Sequence, residues 1–232
     1  MVYDSDGKPT AFREQACFLP PLNSIQTGTV GVADLQAPAK AREEFENGCA
    51  SLRKKKLADA EKHLRKATEQ YQKYPAAWVL LGQVLEVEQK PQEAMDACSH
   101  SLAAARDYLP AYLCLTDISS RQEKWGDALR FSARALELEP TTNAAAYAYN
   151  ATANLKLHHL LEAEKSAVRA LEIDANNSEP RVHFLLAQIY AAKGDRPNAA
   201  AQLREYLKYA KDPDDVAFVK STLAKLDGAS AR

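Results

Sequence analysis

The sequence predicts an all-α fold in which helical hairpins stack one on the next as a solenoid. Three observations carry that prediction. A unit of about 34 residues repeats along the chain, the composition favours helix, and turn residues stand at the joints of the repeat.

The repeat is read from small residues that recur in phase. Ala60, Ala94, Ala128, Ala163 and Ala199 are separated by 34, 34, 35 and 36 residues. Seven positions beyond each stand Ala67, Ser101, Ala135, Ala170 and Tyr206, four of them small, as close helix contacts require. Gly48 and Gly82 each precede their alanine by twelve. In AAWVLLGQVLEVEQKPQEA, Trp78, Leu81, Gly82 and Leu85 form one apolar stripe at period 3.6, with Gly82 admitting a close neighbour. Trp78 and Ala94 are therefore expected in the core, Trp78 mostly buried.

Composition agrees. Ala, Leu, Glu and Lys are abundant and only 8 glycines occur in 232 residues, which tilts the chain toward helix. Hydrophobic residues at 46% and charged residues at 26% suit an ordinary soluble protein with a real core. A net charge of -1 recommends neither nucleic acid nor an anionic membrane as partner. The basic run Arg53 to Lys56 is short, is followed by Asp59 and Glu61, and reads as a solvated helix end. No apolar run reaches the roughly 18 residues that span a bilayer.

Residues 1–40 come first and lack helical periodicity. Gly7, Pro9, Pro20, Pro21, Gly28, Gly31 and Pro38 punctuate them, and Thr27 to Val32 suits a short extended stretch. They form an irregular arm that either packs through its apolar cluster (Cys17, Phe18, Leu19, Leu22, Ile25) or leaves the body as a disordered leader. Five hairpins follow, at about 41–74, 75–108, 109–143, 144–179 and 180–211. Pro140 with Thr141, Thr142 and Asn143 marks one joint. Gly194 marks another as a stop, with Asp195 as N-cap and Pro197 in the next first turn. A capping helix over 214–226 closes the array, its apolar Val216, Val219, Leu223 and Leu226 at helical spacing; Asp227 to Arg232 should fray.

These residues resemble the tetratricopeptide repeat (TPR) family, whose pattern is W-x2-LG-x2-Y … A-x3-F-x2-A … P. The second copy carries Trp78, Leu81, Gly82, Leu85 and Ala94; the third Tyr112, Leu115, Trp125, Ala128, Ala135 and Pro140. The fifth carries Leu186, Ala187, Tyr190, Gly194, Ala199 and Leu203. The fourth is weaker, with Tyr147, Asn150, Ala163 and Ala170. The first departs most, with Glu44 and Asn47 where large apolar groups belong. The resemblance implies a right-handed superhelical solenoid and a non-enzymatic scaffold that binds a peptide or protein on its concave face. It places on that face Phe45, Val79, Gln83, Glu86, Leu113, Asp117, Arg121, Thr152, Lys156, Arg181, Phe184 and Gln188. Val79, Gln83, Leu113 and Asp117 stand where the family's chaperone-tail receptors carry a carboxylate clamp, which argues against such a clamp here.

The arm and first repeat are also similar to bacterial envelope-associated or secreted members of that family. The alternative reading is thus the interaction or sensor portion of a longer envelope polypeptide whose main activity lies elsewhere. MVYDSDGKPT has no apolar segment of signal-peptide type, which points instead to a cytosolic protein or to a fragment.

No catalytic constellation is visible. His63, His100, His158, His159 and His183 stand in no ligand or nucleophile pattern, and no phosphate or nucleophile-elbow motif occurs. Hence no metal, cofactor or enzymatic activity is expected. Asn150-Ala-Thr152 and Asn176-Asn-Ser178 match the glycosylation acceptor, the former in mid-helix. Four cysteines without a CxxC pair leave two bridges open. The first repeat has no predecessor to cover Phe45, Cys49 and Leu52, so residues 17–25 are expected to fold back onto it. Cys17 and Cys49 can then bond in an oxidising compartment. Cys98 and Cys114 lie on sequential helices and can bond likewise, with two buried free thiols the expected state.

Overall fold

The computed structural model describes residues 2–3, 9–10, 17–19, 34, 36–174 and 180–230. The expected extended stretch at 27–32, the Asn176 acceptor and residues 20–25 of the arm lie outside these. The chain forms two compact units, residues 1–122 and 123–232.

The first unit opens on a short antiparallel pair, β1 (Val2–Tyr3) with β2 (Pro9–Thr10), which the sequence analysis does not anticipate. Five helices follow: α1 (Ala39–Arg53), α2 (Leu57–Gln70), α3 (Pro75–Val87), α4 (Pro91–Ala104) and α5 (Leu109–Arg121). The second unit holds α6 (Trp125–Leu138), α7 (Ala144–Lys156), α8 (Leu160–Ile173), α9 (Arg181–Ala192), α10 (Arg196–Tyr209) and α11 (Pro213–Ser230). Within the units α1 packs on α2, α3 on α4, α7 on α8 and α9 on α10. Successive pairs join through α2–α3, α4–α5, α6–α7 and α8–α9.

The phased small residues are the reason. Ala60, Ala94, Ala128 and Ala163 are fully buried and Ala199 nearly so, as are Ala67, Ser101, Ala135 and Ala170 seven residues on. Small side chains there let the hairpin partners approach closely.

The turn inside each hairpin repeats as well. Lys55, Gln89, Glu123, His158 and Gly194 all have φ between 56° and 78°. Beyond them Lys56, Lys90, His159 and Asp195 donate their N–H groups five residues back, to Ser51, Leu85, Asn154 and Tyr190. That bond closes a helix end once one residue turns left-handed. Helix starts are equally patterned. Pro75, Pro91, Pro110 and Pro197 occupy first-turn positions, and Asn143 and Asp195 cap α7 and α10 through Ala146 N and Asn198 N.

Trp78 is mostly buried, as expected, and lies at the edge of the core. Its ring stacks on His100 at 4.7 Å, and Nε1 donates to Gln72 O at 2.7 Å. Tyr112 and Tyr147, at the same place in the next repeats, bond Arg106 O and Pro140 O at 2.9 and 3.0 Å. These polar rings peg the preceding loop, and a polar tip needs an edge position rather than the centre. In the first repeat Glu44 stands there and reaches His63 at 2.6 Å and Lys66 at 3.5 Å.

Cys98 and Cys114 are joined by a disulfide, with Cα atoms 6.2 Å apart, instead of remaining free thiols. The sequence places both on adjacent helices, but only the packing shows that α4 and α5 present them to each other above Gly82.

Asn150 occupies the position of Leu81, Leu115 and Leu186 in the fourth repeat and is buried. Its Nδ2 donates to Ser132 Oγ on α6 at 3.2 Å. Its Oδ1 accepts from Ser166 on α8 at 2.8 Å and from Asn154 at 2.9 Å. With the amide so engaged, the acceptor pattern there is not a modification site.

The cap is longer than 214–226. α11 runs from Pro213 to Ser230, so most of the expected frayed tail is helical. Asp212 accepts from Asp214 N and Asp215 N, and Val219 and Leu223 bury against α10. Among the described residues no helix is long and apolar enough to cross a membrane.

Candidate interaction surface

In the first unit the expected binding residues divide sharply. Val79 is buried because α3 is enclosed by α2, α4 and α5, so that nearly every residue from Pro75 to Leu85 is covered, and Leu113 is buried on α5, which packs on α3 and α4. Phe45 is buried beside Tyr74, ring centroids 5.2 Å apart. These three belong to the core, a correction to their place on a binding face.

Gln83 is also buried, but by the chain's own arm. Its Oε1 accepts from Leu19 N at 3.0 Å and its Nε2 donates to Leu19 O at 2.9 Å. Phe18 is 4% exposed, and Cys17 is bonded to Cys49 of α1 with Cα atoms 5.4 Å apart. Cys17–Leu19 therefore lies folded back between α1 and α3. Farther along the arm, Asp34 accepts from Ala76 N at 3.1 Å and so caps α3, whose own N-cap position holds Tyr74.

Beyond Gln83 the same face turns charged. Arg121 Nε lies 3.0 Å from Asp117 Oδ2 and 3.9 Å from Glu86 Oε1. Burial, with Asp117 adding its negative charge, pushes the Glu86 carboxyl above its ordinary range against the pull of Arg121.

In the second unit three of the expected residues are open and two are partly covered. Arg181 and Gln188 of α9 are exposed, as is Lys156 of α7, whose ammonium lies 5.6 Å from the Trp125 ring centre. Thr152 is half-buried and bonds back to Ala148 O. Phe184 is half-buried between Tyr206, 5.7 Å away, and Phe218, 6.3 Å away. Phe218 is 61% exposed on α11. Among the described residues no three His, Cys, Asp or Glu side chains gather as metal ligands would.

Searches of family profiles and of curated proteins return no match to this chain. Solved structures do match. PilW, described as a widely conserved type IV pilus biogenesis factor, superposes with a TM-score of 0.73 at 17% identity, covering 83% of this chain and 88% of that one. YrrB, described as a TPR protein with an unusual peptide-binding site, gives 0.64 at 20% identity over 78% and 92%. MamA from Desulfovibrio magneticus gives 0.67 at 17% identity over 74% and 96%.

The fold is that of the tetratricopeptide repeat.

Within this TPR fold, the first helix of each hairpin carries the expected face. The two units treat it differently: Cys17–Leu19 covers part of it in the first, and side chains are left outward in the second. The fold-back of Cys17–Leu19 onto α1 is as expected, but sequence reasoning did not single out the bonds of Leu19 to Gln83, nor Asp34 or Phe218. Phe218 carried a signal, since it is a large aromatic residue off the apolar stripe of α11. The backbone bonds of Leu19 and the cap by Asp34 carried none, because they run to residues 64 and 42 positions away.

Proposed function

We propose that this chain is a non-enzymatic protein-interaction scaffold that takes a peptide or protein segment on the face of α7, α9 and α11. Exposed Phe218 beside half-buried Phe184 is the observation that carries the reading. An aromatic pair with Arg181 and Gln188 three and four residues from Phe184 on α9 offers an apolar anchor with polar groups at its edge, the combination that dominates binding energy at interfaces. The solved TPR protein described as having a peptide-binding site supports the class of partner.

Capture by the purified chain tests it. Phe184→Ala with Phe218→Ala should abolish retention of the partner, whereas Leu161→Ala, at a residue 62% exposed on α8, should leave it intact. Retention by the double variant together with loss in Leu161→Ala refutes the assignment.

A second feature bears on where this happens. Two disulfides persist in oxidising surroundings and are rare where thiols are kept reduced. They favour an envelope or secreted setting, and with it the reading as the interaction part of a longer envelope polypeptide. Acid-quenched alkylation of the protein taken from its native cells, followed by mass mapping of the four cysteines, checks that placement. Alkylation at all four would exclude it.

A further inference from the structure

Gln83 spends its whole side-chain amide on one backbone unit. It donates to Leu19 O and accepts from Leu19 N, the pair of bonds that a neighbouring strand would make. Such a contact reads an extended backbone without regard to the side chain it carries. Selectivity falls to the preceding residue, Phe18, which is buried between the two anchor points, the Cys17–Cys49 bond on α1 and Gln83 on α3. The segment Cys17–Leu19 thus sits on the helices as a bound peptide would, with a side chain buried and a backbone amide read.

We propose that this face of α1 and α3 is a second peptide site, selective for an aromatic residue, and that Cys17–Leu19 is its tethered occupant in cis. The proposal rests on the scaffold reading above but concerns the other unit. While Cys17 stays bonded to Cys49, the occupant has no path away from the site. A dithiol reductant opens it. One thiolate attacks a sulfur of the Cys17–Cys49 bond and forms a mixed disulfide, expelling the other cysteine as thiolate, which takes up a proton. The second thiol of the reductant then displaces the remaining cysteine. Two electrons and two protons pass to Cys17 and Cys49, and the reductant leaves as its own disulfide. Cys17 and Cys49 are 9% and 5% exposed against 0% and 3% for Cys98 and Cys114, so attack reaches the arm's bond first. The freed arm still competes, since its chain connection holds it at a local concentration in the millimolar range, about that of a short linker.

The probe is a fluorescent peptide of residues 16–22 carrying Cys17→Ser, titrated by anisotropy into the full-length chain. The oxidised wild type should bind at least about ten-fold more weakly than a Cys17→Ser/Phe18→Ser chain, in which the occupant is disabled. Wild type treated with dithiothreitol should fall between them, level with Cys17→Ser. Leu19→Pro in a Cys17→Ser chain removes the N–H that Gln83 reads without altering α1 or α3. It should open the site as well, which keeps the test valid if the first double variant folds poorly. Adding Gln83→Leu to an open chain should abolish binding, as should Phe18→Ser in the peptide. Equal binding by oxidised wild type and the open chains would overturn the occupant's role. Absence of binding to open chains that still melt cooperatively would overturn the site. Partner capture through Phe184 and Phe218 is measured separately, so either failure leaves the proposed function standing.

Discussion

Gly82 faces Cys98 so closely that a Cβ on Gly82 would stand 2.3 Å from Cys98 Sγ, with Ala94 O at 3.1 Å and Cys114 Sγ at 3.4 Å. The bridge between α4 and α5 therefore lies over the one position of α3 that has no side chain. Gly82→Ala gains about 1 kcal/mol of helix propensity, but the clash is with a bonded sulfur and a backbone oxygen, neither of which yields easily. The net effect should be a loss of about 1–3 kcal/mol in urea unfolding. The same substitution in a Cys98→Ala/Cys114→Ala chain should cost clearly less, and equal costs in the two backgrounds would show that the bridge is not what Gly82 accommodates.

Asn150 gives a case where restoring the repeat consensus should do harm. Asn150→Leu installs the residue found at positions 81, 115 and 186. It strips partners from Asn154 and Ser166, which are held by the Asn150 carbonyl. Leaving buried polar groups without partners outweighs the added apolar surface, and a loss of about 1–3 kcal/mol is expected in chemical denaturation. A gain in stability would mean that the network is replaceable by packing.

The hairpin turns offer the opposite case. Lys55 and His158 hold φ of 58° and 60° with exposed side chains. The left-handed conformation costs a non-glycine residue about 1–2 kcal/mol, against about 0.4–1 kcal/mol of extra unfolded-state entropy when glycine replaces it. Lys55→Gly and His158→Gly should each raise the melting temperature; Gly194 already holds the corresponding place in the fifth hairpin. A lowered midpoint in both would show that these side chains contribute more than the backbone relief.

Acid sensitivity should concentrate at Glu61. Burial alone would raise its pKa, but the hydrogen bonds from Lys90 and Arg65 prevail and hold it at about 2 instead of 4.5. A folded-state value below the unfolded one means that the unfolded chain binds the proton first. This contribution is complete above about pH 4.5 and is lost as pH falls toward 2. Glu61→Gln should be less stable than wild type at neutral pH and should flatten the loss across that window. Parallel stability curves for the two chains would remove Glu61 from the acid response.

What the sequence made legible follows from what repeats. The phase of Ala60 through Ala199 gave the hairpins, because a position used five times announces itself against a varied background. Asp195 and Gly194 were readable because caps act within a few residues. Val79 and Leu113 were misassigned because the face of a single helix was considered without the helices that pack on its other sides. Trp78 is mostly buried as its stripe implied, but the edge position its N–H needs, at the Gln72 carbonyl, was not legible. Gln83, expected on the partner-binding face, is instead bonded to the chain's own arm. Its bond to Leu19 was hidden, since nothing local encodes a bond spanning 64 residues.

Both covalent cross-links lie in residues 1–122, as do all four cysteines of the sequence. Under tension applied at its two ends, the chain is thus unevenly reinforced. The second unit has only non-covalent contacts to resist a load and can be drawn out to full length. In the first, spans of 32 and 16 residues stay locked behind sulfur bonds, withholding roughly 160 Å of contour until those bonds are cut. A chain anchored at both ends would therefore keep the arm and α1 together as one knot, and α4 with α5 as another, after every unlinked stretch had been drawn out.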